Sequence, residues 1–507
     1  MLHLSQKGAS MNDLTMNCNE LVKFLRKPAH SFTCSDLVKC VENYQVKMVN
    51  FRYVAEDGKL KTLNFIINSR EHLESILTYG ERVDGSSLFS FIDAGSSDLY
   101  LLPRYRTAFL NPFSEIPAME ILCTFYNQEG APLENAPDYI LKKALHQFRE
   151  ETGYNLLALG ELEYYVNSPL EEHFIGEDQG GYHSSTPFCK WENMRVQALD
   201  LIARTGGQVK YGHSEVGSFT RSGEAFEQHE IEFLPMEVED AADQLVIAKW
   251  ILRMLADSYG VEISFAPKIS EGMAGSGLHI HMLLEREGRN VMNGSSGLSD
   301  DARRMIAGIL EHARALTAFG NTVPTSYLRL VPNQEAPTRV CWGDRNRSVL
   351  VRVPLGWNTS PDMINRVNPQ EPGRSDRIPE RQTVELRSAD GSADIYNLLA
   401  GILVAARKGL TDPASLEQAG RWYVDVDIFR DPAKLEKLAS LPLSCHESSL
   451  ALVKKREAFE DAGVFPKGHI DSVIRRLQAY NDEGLSEKLE GNTEAIRELV
   501  LRYIHVM

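Results

Sequence analysis

The chain has 507 residues, 43% hydrophobic and 24% charged, which is ordinary globular usage and excludes a collagen-like or wholly disordered polymer. Its 54 Lys and Arg against 70 Asp and Glu leave a formal charge of −16. That is the opposite of the basic face of a nucleic-acid binder, so no nucleic-acid partner is expected. At roughly 150 residues per domain the length suits about three domains, or two unequal ones. Seven widely spaced cysteines with no CxxC point to free thiols and a cytoplasmic, reducing location. The opening MLHLSQKGASMNDL lacks the basic-then-apolar pattern of a secretory signal. No window of about 18 residues is continuously apolar, so no membrane span is expected.

In chain order, a helix is predicted from Ser35, as N-cap, through Val41. VKMVNFRYV (46–54) and GKLKTLNFII (58–67) read as strands around the Asp57–Gly58 turn, and LFSFIDAGSSDLYLLP (88–103) as two more. These form a small β-rich domain ending near Pro112–Phe113, so the expected domains are 1–113 and 114–507. The second reads as an α/β block. Apolar residues at helical spacing predict a helix over 137–152, stopped by Gly153, and another over 242–260. Strands are expected at 156–166, in VEISFAP, and at 277–285, 347–354 and 383–387. Residues 356–380, rich in Gly, Asn and Pro, read as a long loop, and 450–507 as a helical tail broken near Gly463–Gly468.

Strand alternation then pairs the ionisable residues. Glu161 with Glu163, His213 with Glu215, Glu230 with Glu232, His279 with His281, and Glu385 with Arg387 are each two apart and share a face. One such pair is usually a solvated strand face. Several glutamates facing inward in one domain cannot all stay ionised without cations. Carboxylate oxygens with one or two imidazoles suit Mg²⁺ or Mn²⁺ better than structural zinc. Two such ions would cradle a nucleotide's phosphates. Arg329, Arg347, Arg352 and Arg387 supply guanidinium forks for carboxylate or phosphoryl oxygens. There is no GxxxxGK[ST], no strand–GxGxxG–helix and no GxSxG, which sets aside P-loop, Rossmann and hydrolase-elbow sites.

From about Val83 onward the sequence resembles the type I glutamine synthetase family. VDGSS (83–87), SSDLYLLP (96–103), GELEYY (160–165), GGY (180–182), GSGLHIH (275–281), SYLRLVPNQEAP (326–337), RNRSVLVRVP (345–354) and VELRSAD (384–390) are similar to the family's motifs and follow its order. The resemblance implies an α+β protein with an N-terminal β-grasp domain and a C-terminal glutamine synthetase catalytic α/β domain. It implies a homo-oligomer, a dodecamer of two hexameric rings, with Asp84 completing a neighbour's site. On the same ground, 497–507 either reaches the opposite ring or is an ordinary packed helix. It further implies ATP as co-substrate, glutamate and ammonium as substrates, and two or more Mg²⁺ or Mn²⁺ ions per site. One ion would sit on Glu163, Glu215 and Glu230, and the second on Glu161, His279 and Glu385. Arg347, Arg352 and Arg387 would position phosphates, with His281 at the nucleotide. Arg329 and the Gly275 backbone would hold glutamate. Asp84, Tyr182 and Glu215 would form the ammonium pocket, and Glu335 would take a proton as ammonia attacks.

Some positions depart from the family's pattern. SFTRSGEAFEQH lengthens the stretch between Glu215 and Glu230, leaving Glu224 and Glu227 as rival ligands. Ala274 replaces an Asn that contacts glutamate's amino group. Thr383 replaces an Arg, with Arg381 nearby. The implied reaction is glutamate–ammonia ligation. A γ-glutamyl–amine ligase of the same family, taking a polyamine or similar amine, is the alternative, and a non-catalytic relative is a third reading.

Overall fold

A computed structural model describes residues 11–93, 95, 97–295, 297–331, 336–356, 363–371, 380–489 and 492–506. Local chemistry sets the first elements. α1 (Cys34–Asn43) starts at Thr33, whose hydroxyl accepts from the Asp36 amide while the Asp36 carboxylate accepts from Thr33. That reciprocal box outcompetes Ser35, the cap expected from sequence. β1 (Met48–Val54) and β2 (Leu60–Ile66) pair antiparallel across the Asp57–Gly58 turn. α2 (Arg70–Tyr79), not anticipated, is capped by Ser69 and buries Leu73, Ile76 and Leu77.

β3 (Glu81–Asp84), β4 (Asp98–Pro103), β5 (Phe109–Leu110) and β6 (Ala118–Tyr126) complete the first sheet, in the order β2-β1-β6-β4-β3, with β5 on β6. Only the second half of 88–103 is a strand. Phe89 is buried from a turn, so its apolar character reflects packing rather than pleating. The sheet runs to Tyr126, past the boundary expected at residue 113. The Asn-Pro and Ile-Pro steps before β6 are a loop within the sheet, not a linker between domains.

The larger sheet is mostly antiparallel. α3 (Pro137–Thr152), ended by left-handed Gly153 as expected, leads into β7 (Asn155–Pro169). α4 (Glu192–Arg204), β8 (Val209–Arg221), β9 (Glu224–Phe233), α5 (Val238–Tyr259) and β10 (Leu278–Arg286) follow. After α6 (Asp300–Gly320) come β11 (Trp342–Asp344), β12 (Val351–Val353), β13 (Val384–Leu386) and α7 (Ile395–Thr411). The strand order is β11-β12-β13-β10-β7-β9-β8. Leu278, Ile280 and Met282 of β10, Leu162 and Tyr164 of β7, and Ile231 of β9 join the helices in one core. Strand alternation turns the intervening residues to the other face. α7 reads as apolar on every side because it is buried all round.

α8 (Cys445–Glu460), α9 (Lys467–Gln478) and α10 (Thr493–Arg502) form the C-terminal region. Its end packs on its own chain, where Ser264 Oγ donates to the Ile504 carbonyl at 2.6 Å. No helix among the described residues is long and apolar enough to cross a membrane.

A buried charge joins the two sheets' domains. Asp243 of α5 accepts two hydrogen bonds at 2.9 Å from Arg104, which follows β4, and one at 2.7 Å from Tyr396 of α7. Asp243→Ala strands the guanidinium and is expected to lower unfolding stability by about 3–5 kcal/mol. A denaturant midpoint equal to wild type would refute this.

Candidate active site

Register places the ionisable pairs side by side. His279 of β10 lies opposite Glu161 of β7, and Glu163 opposite Glu230 of β9. Glu230 in turn lies opposite His213 of β8. On the other flank His281 faces Glu385 of β13, which faces Arg352 of β12. All of them line one cleft of about 930 Å³, with Glu215, Arg329, Arg347, Arg387, Tyr182 and Gly275.

Glu161 sits between two imidazoles, His279 Nδ1 at 2.9 Å and His281 Nε2 at 2.8 Å. Burial pushes this carboxyl up, but His281 and His279 outweigh it and hold it well below the usual range. Glu385, fully buried, takes Arg387 Nη1 at 2.5 Å and Arg352 Nη1 at 2.9 Å. Burial alone would raise it too, yet Arg387 brings it below its ordinary value. Glu230 has no such counter-charge. Burial, then Glu161, Glu163, Glu215 and Glu232, push its pKa well up. Burial lowers the pKa of His213, and its Nδ1 hydrogen donates to the Ser214 carbonyl at 3.0 Å. His213 Nε2 lies 3.6 Å from Glu230 Oε1.

Two sets of donor atoms, Glu161–His281–Glu385 and His213–Glu215–Glu230, each gather within 4.8 Å. Oxygen-rich sets of this kind, one carrying an excess of negative charge, fit hard divalent cations. The groupings differ in part from the expected ones. His279 Nδ1 reaches Glu161 at 2.9 Å and Glu385 at 3.5 Å, and His281 Nε2 reaches the same two carboxylates at 2.8 and 3.9 Å. His213, not among the expected ligands, gathers with Glu215 and Glu230, while Glu163 lines the same cleft, its Oε2 accepting from the Gly277 amide at 2.8 Å and Gln228 Nε2 at 3.1 Å and its Oε1 lying 3.8 Å from His279 Nε2. Glu230 faces the cleft. Glu227 points to the opposite face of β9 and accepts from the Lys190 and Trp191 amides, and Glu224 pairs with Pro169 at the hairpin's far end. A third set, Cys189–Glu227–His229, is unsuited to a cation. Arg195 donates to His229 Nδ1 at 2.8 Å, which leaves the proton on Nε2.

Arg329, 4% exposed, donates to the Ser388 carbonyl at 2.9 Å and meets His279 Nε2 at 3.3 Å. Gly275 must lack a side chain, since a Cβ would lie 2.6 Å from the Pro267 carbonyl and 2.9 Å from Arg329 Cγ. Arg347 is exposed at the cleft mouth. Tyr182 is exposed and stacks on His183, with ring centroids 4.2 Å apart. Asp84 lies in the first domain, away from this chain's cleft lining, where Ser87 and Ser86 hydroxyls hold its carboxyl down at about 2. Glu335 lies outside the described residues. Sequence reasoning missed Gln228, although period-2 spacing from Glu230 places it on the same face. The hydroxyl of Thr383 lies 3.0 Å from His281 Nδ1, and Arg381 lines the cleft beside it.

Residues 134–475 match the family model described as glutamine synthetase, catalytic domain, and residues 45–128 that described as glutamine synthetase, beta-grasp domain. The chain belongs to the glutamine synthetase family. The α+β fold is therefore a β-grasp domain followed by a glutamine synthetase catalytic domain. The glutamine synthetase of Thermococcus kodakarensis is 32% identical over 459 residues, covering 89% of this chain and 94% of that protein. That of Thermotoga maritima is 31% identical, covering 76% and 83%. Among solved structures, Plasmodium falciparum glutamine synthetase superposes with a TM-score of 0.72 at 18% identity, covering 90% of this chain and 97% of that one. A GmaS–ADP complex superposes with a TM-score of 0.65 at 19% identity, covering 92% and 99%. Family membership makes the crowded carboxylates testable. Glu230→Gln is expected to raise the melting temperature of the metal-free protein by relieving repulsion, and to remove the further rise caused by Mn²⁺. A Mn²⁺-induced shift that survives the substitution would exclude Glu230 as a ligand.

Proposed function

We propose that the protein ligates ammonia to the γ-carboxylate of glutamate at the expense of ATP, through γ-glutamyl phosphate. The observation that carries this is the pairing of two carboxylate–imidazole groups with three guanidinium groups, those of Arg329, Arg352 and Arg387, in one cleft. A free carboxylate is a poor acyl donor because oxide would have to leave. Transfer of the γ-phosphoryl group from ATP to a carboxylate oxygen releases ADP and creates a good leaving group. The amine nitrogen then attacks the acyl carbon and inorganic phosphate departs.

Glu161, His279, His281 and Glu385 on one side, and Glu163, His213, Glu215 and Glu230 on the other, would hold Mg²⁺ or Mn²⁺. Bound there, the ions supply charge neutralisation for phosphoryl transfer. Arg347, Arg352 and Arg387 bind phosphate oxygens. Arg329 holds the amino acid's α-carboxylate beside the Gly275 backbone. Tyr182 and Glu215 bind ammonium, and Glu335 accepts the proton that the attacking nitrogen loses. The exposed Asp84, pre-ionised by its serines, completes the same pocket of an adjacent subunit in a cytoplasmic ring-shaped homo-oligomer, a dodecamer of two hexamers.

A second reading, ligation of a larger amine, draws on the ring wall of Tyr182, His183 and His213 beside Glu215, which would flank an alkyl amine. ADP release with glutamate and Mg²⁺ or Mn²⁺, comparing ammonium with mono- and polyamines, separates the two. Glutamine formed from ammonium supports the first reading. Turnover only with a larger amine replaces it with the second.

A further inference from the structure

The carboxylate-bearing face of the sheet continues past the cleft. Beyond Glu163 and Glu230 the next facing pair is Tyr165 and Gln228, and then Phe226 with Phe219. Tyr165 is 1% exposed, and its hydroxyl donates to the Ala274 carbonyl at 2.9 Å. Gln228 donates to the Gly275 carbonyl at 2.9 Å, and the Ala274 amide donates to Gln179 at 2.8 Å. Side chains thus hold both residues of the backbone that borders the cleft beside Arg329. β8 accommodates this arrangement only because Gly217 has no side chain. A Cβ there would stand 1.9 Å from the Tyr165 hydroxyl.

The ring of Tyr165 belongs to an apolar cluster separate from the main core. Phe219 and Phe226, stacked 4.6 Å apart on the lengthened β8–β9 hairpin, form one wall. Leu489, Ile496 and Val500 of the C-terminal region form the other. Met273 and Leu328 pack on its edge, one residue before Ala274 and Arg329 respectively. The C-terminal helix therefore backs both elements that bound this end of the cleft.

We propose that Tyr165, seated by α10 through this cluster, is a positioning residue. It holds the Ala274–Gly275 backbone in register with Arg329 and so sets affinity for the amino-acid substrate without touching it. The inference rests on the reading of Arg329 and Gly275 as the glutamate end of the site. A buried carbonyl that loses its donor drives local rearrangement, and a small misplacement of a binding group is felt in substrate affinity.

Steady-state kinetics of the full-length enzyme test it. In Tyr165→Phe, which keeps the ring and removes one hydroxyl, KM for glutamate should rise about five- to tenfold. KM for ATP and kcat should stay within about twofold, since the carboxylate rows are untouched. A second variant, Ile496→Ala with Val500→Ala, loosens the seat from outside the cleft and should raise the same KM in the same direction. A purely structural role would lower the active fraction and leave KM unchanged. Unchanged glutamate KM in both variants, or an equal rise for ATP, overturns the proposal alone. Absence of glutamate-dependent turnover in the wild type overturns the reading of function, and the proposal with it.

Discussion

Glu385→Gln is expected to reduce kcat at saturating Mg²⁺ or Mn²⁺ by about 10²–10³-fold, the scale of losing one charge-stabilising group at a reacting centre. Among the described residues, Glu385 is the only carboxylate in the cleft that meets two guanidinium groups as well as both imidazoles of β10. It thus sets the charge of one carboxylate–imidazole group and the direction of Arg352 and Arg387. Glutamine keeps the shape and one acceptor oxygen while removing the charge. Glu385→Ala should add a stability loss of about 3–5 kcal/mol, because Arg387 would be left buried beside a hole. Turnover near wild type in Glu385→Gln would rule out the two-group metal assignment. Lost activity with wild-type metal binding by calorimetry would confine the role to the arginines.

Arg329→Lys should lower kcat/KM for glutamate by about 10²-fold or more, through KM. The guanidinium lies in a buried slot whose shape depends on Gly275 and Gly277. Its Nη1 is engaged by the Ser388 carbonyl and its Nη2 reaches the Arg387 carbonyl at 3.3 Å. A lysine carries the same charge without a planar fork, so it cannot satisfy those carbonyls and a bound carboxylate together. The expected signature is weaker glutamate binding with nearly unchanged KM for ATP. Equal damage to both constants would show that Arg329 supports the cleft instead of binding the amino acid.

Much of the site was legible in the sequence because strand alternation is local. Knowing that 156–166 is a strand suffices to put Glu161 and Glu163 on one face. The helix over 137–152 was likewise readable from its own spacing and its terminal glycine. α2 was missed although the Ser69 cap and the i, i+3, i+4 spacing of Leu73, Ile76 and Leu77 are a local helix signal, carried by only ten residues. The domain boundary was misplaced because β1 pairs with β6 across roughly seventy residues, and no local signal reports such a partner.

The sequence by itself determined the family, the two-domain order, the residue types that can hold cations and arginine-bound anions, and the face on which each lies. Tertiary structure decided which of those faces meet. Register between strands far apart in the chain put Glu385 beside His281 and His279 beside Glu161. Tertiary packing also put the Tyr165 hydroxyl on the Ala274 carbonyl over a gap of 109 residues. Alternation depends on one residue's neighbours along the chain. Register depends on which distant backbones exchange hydrogen bonds, and the packing of the whole sheet on its helices selects it.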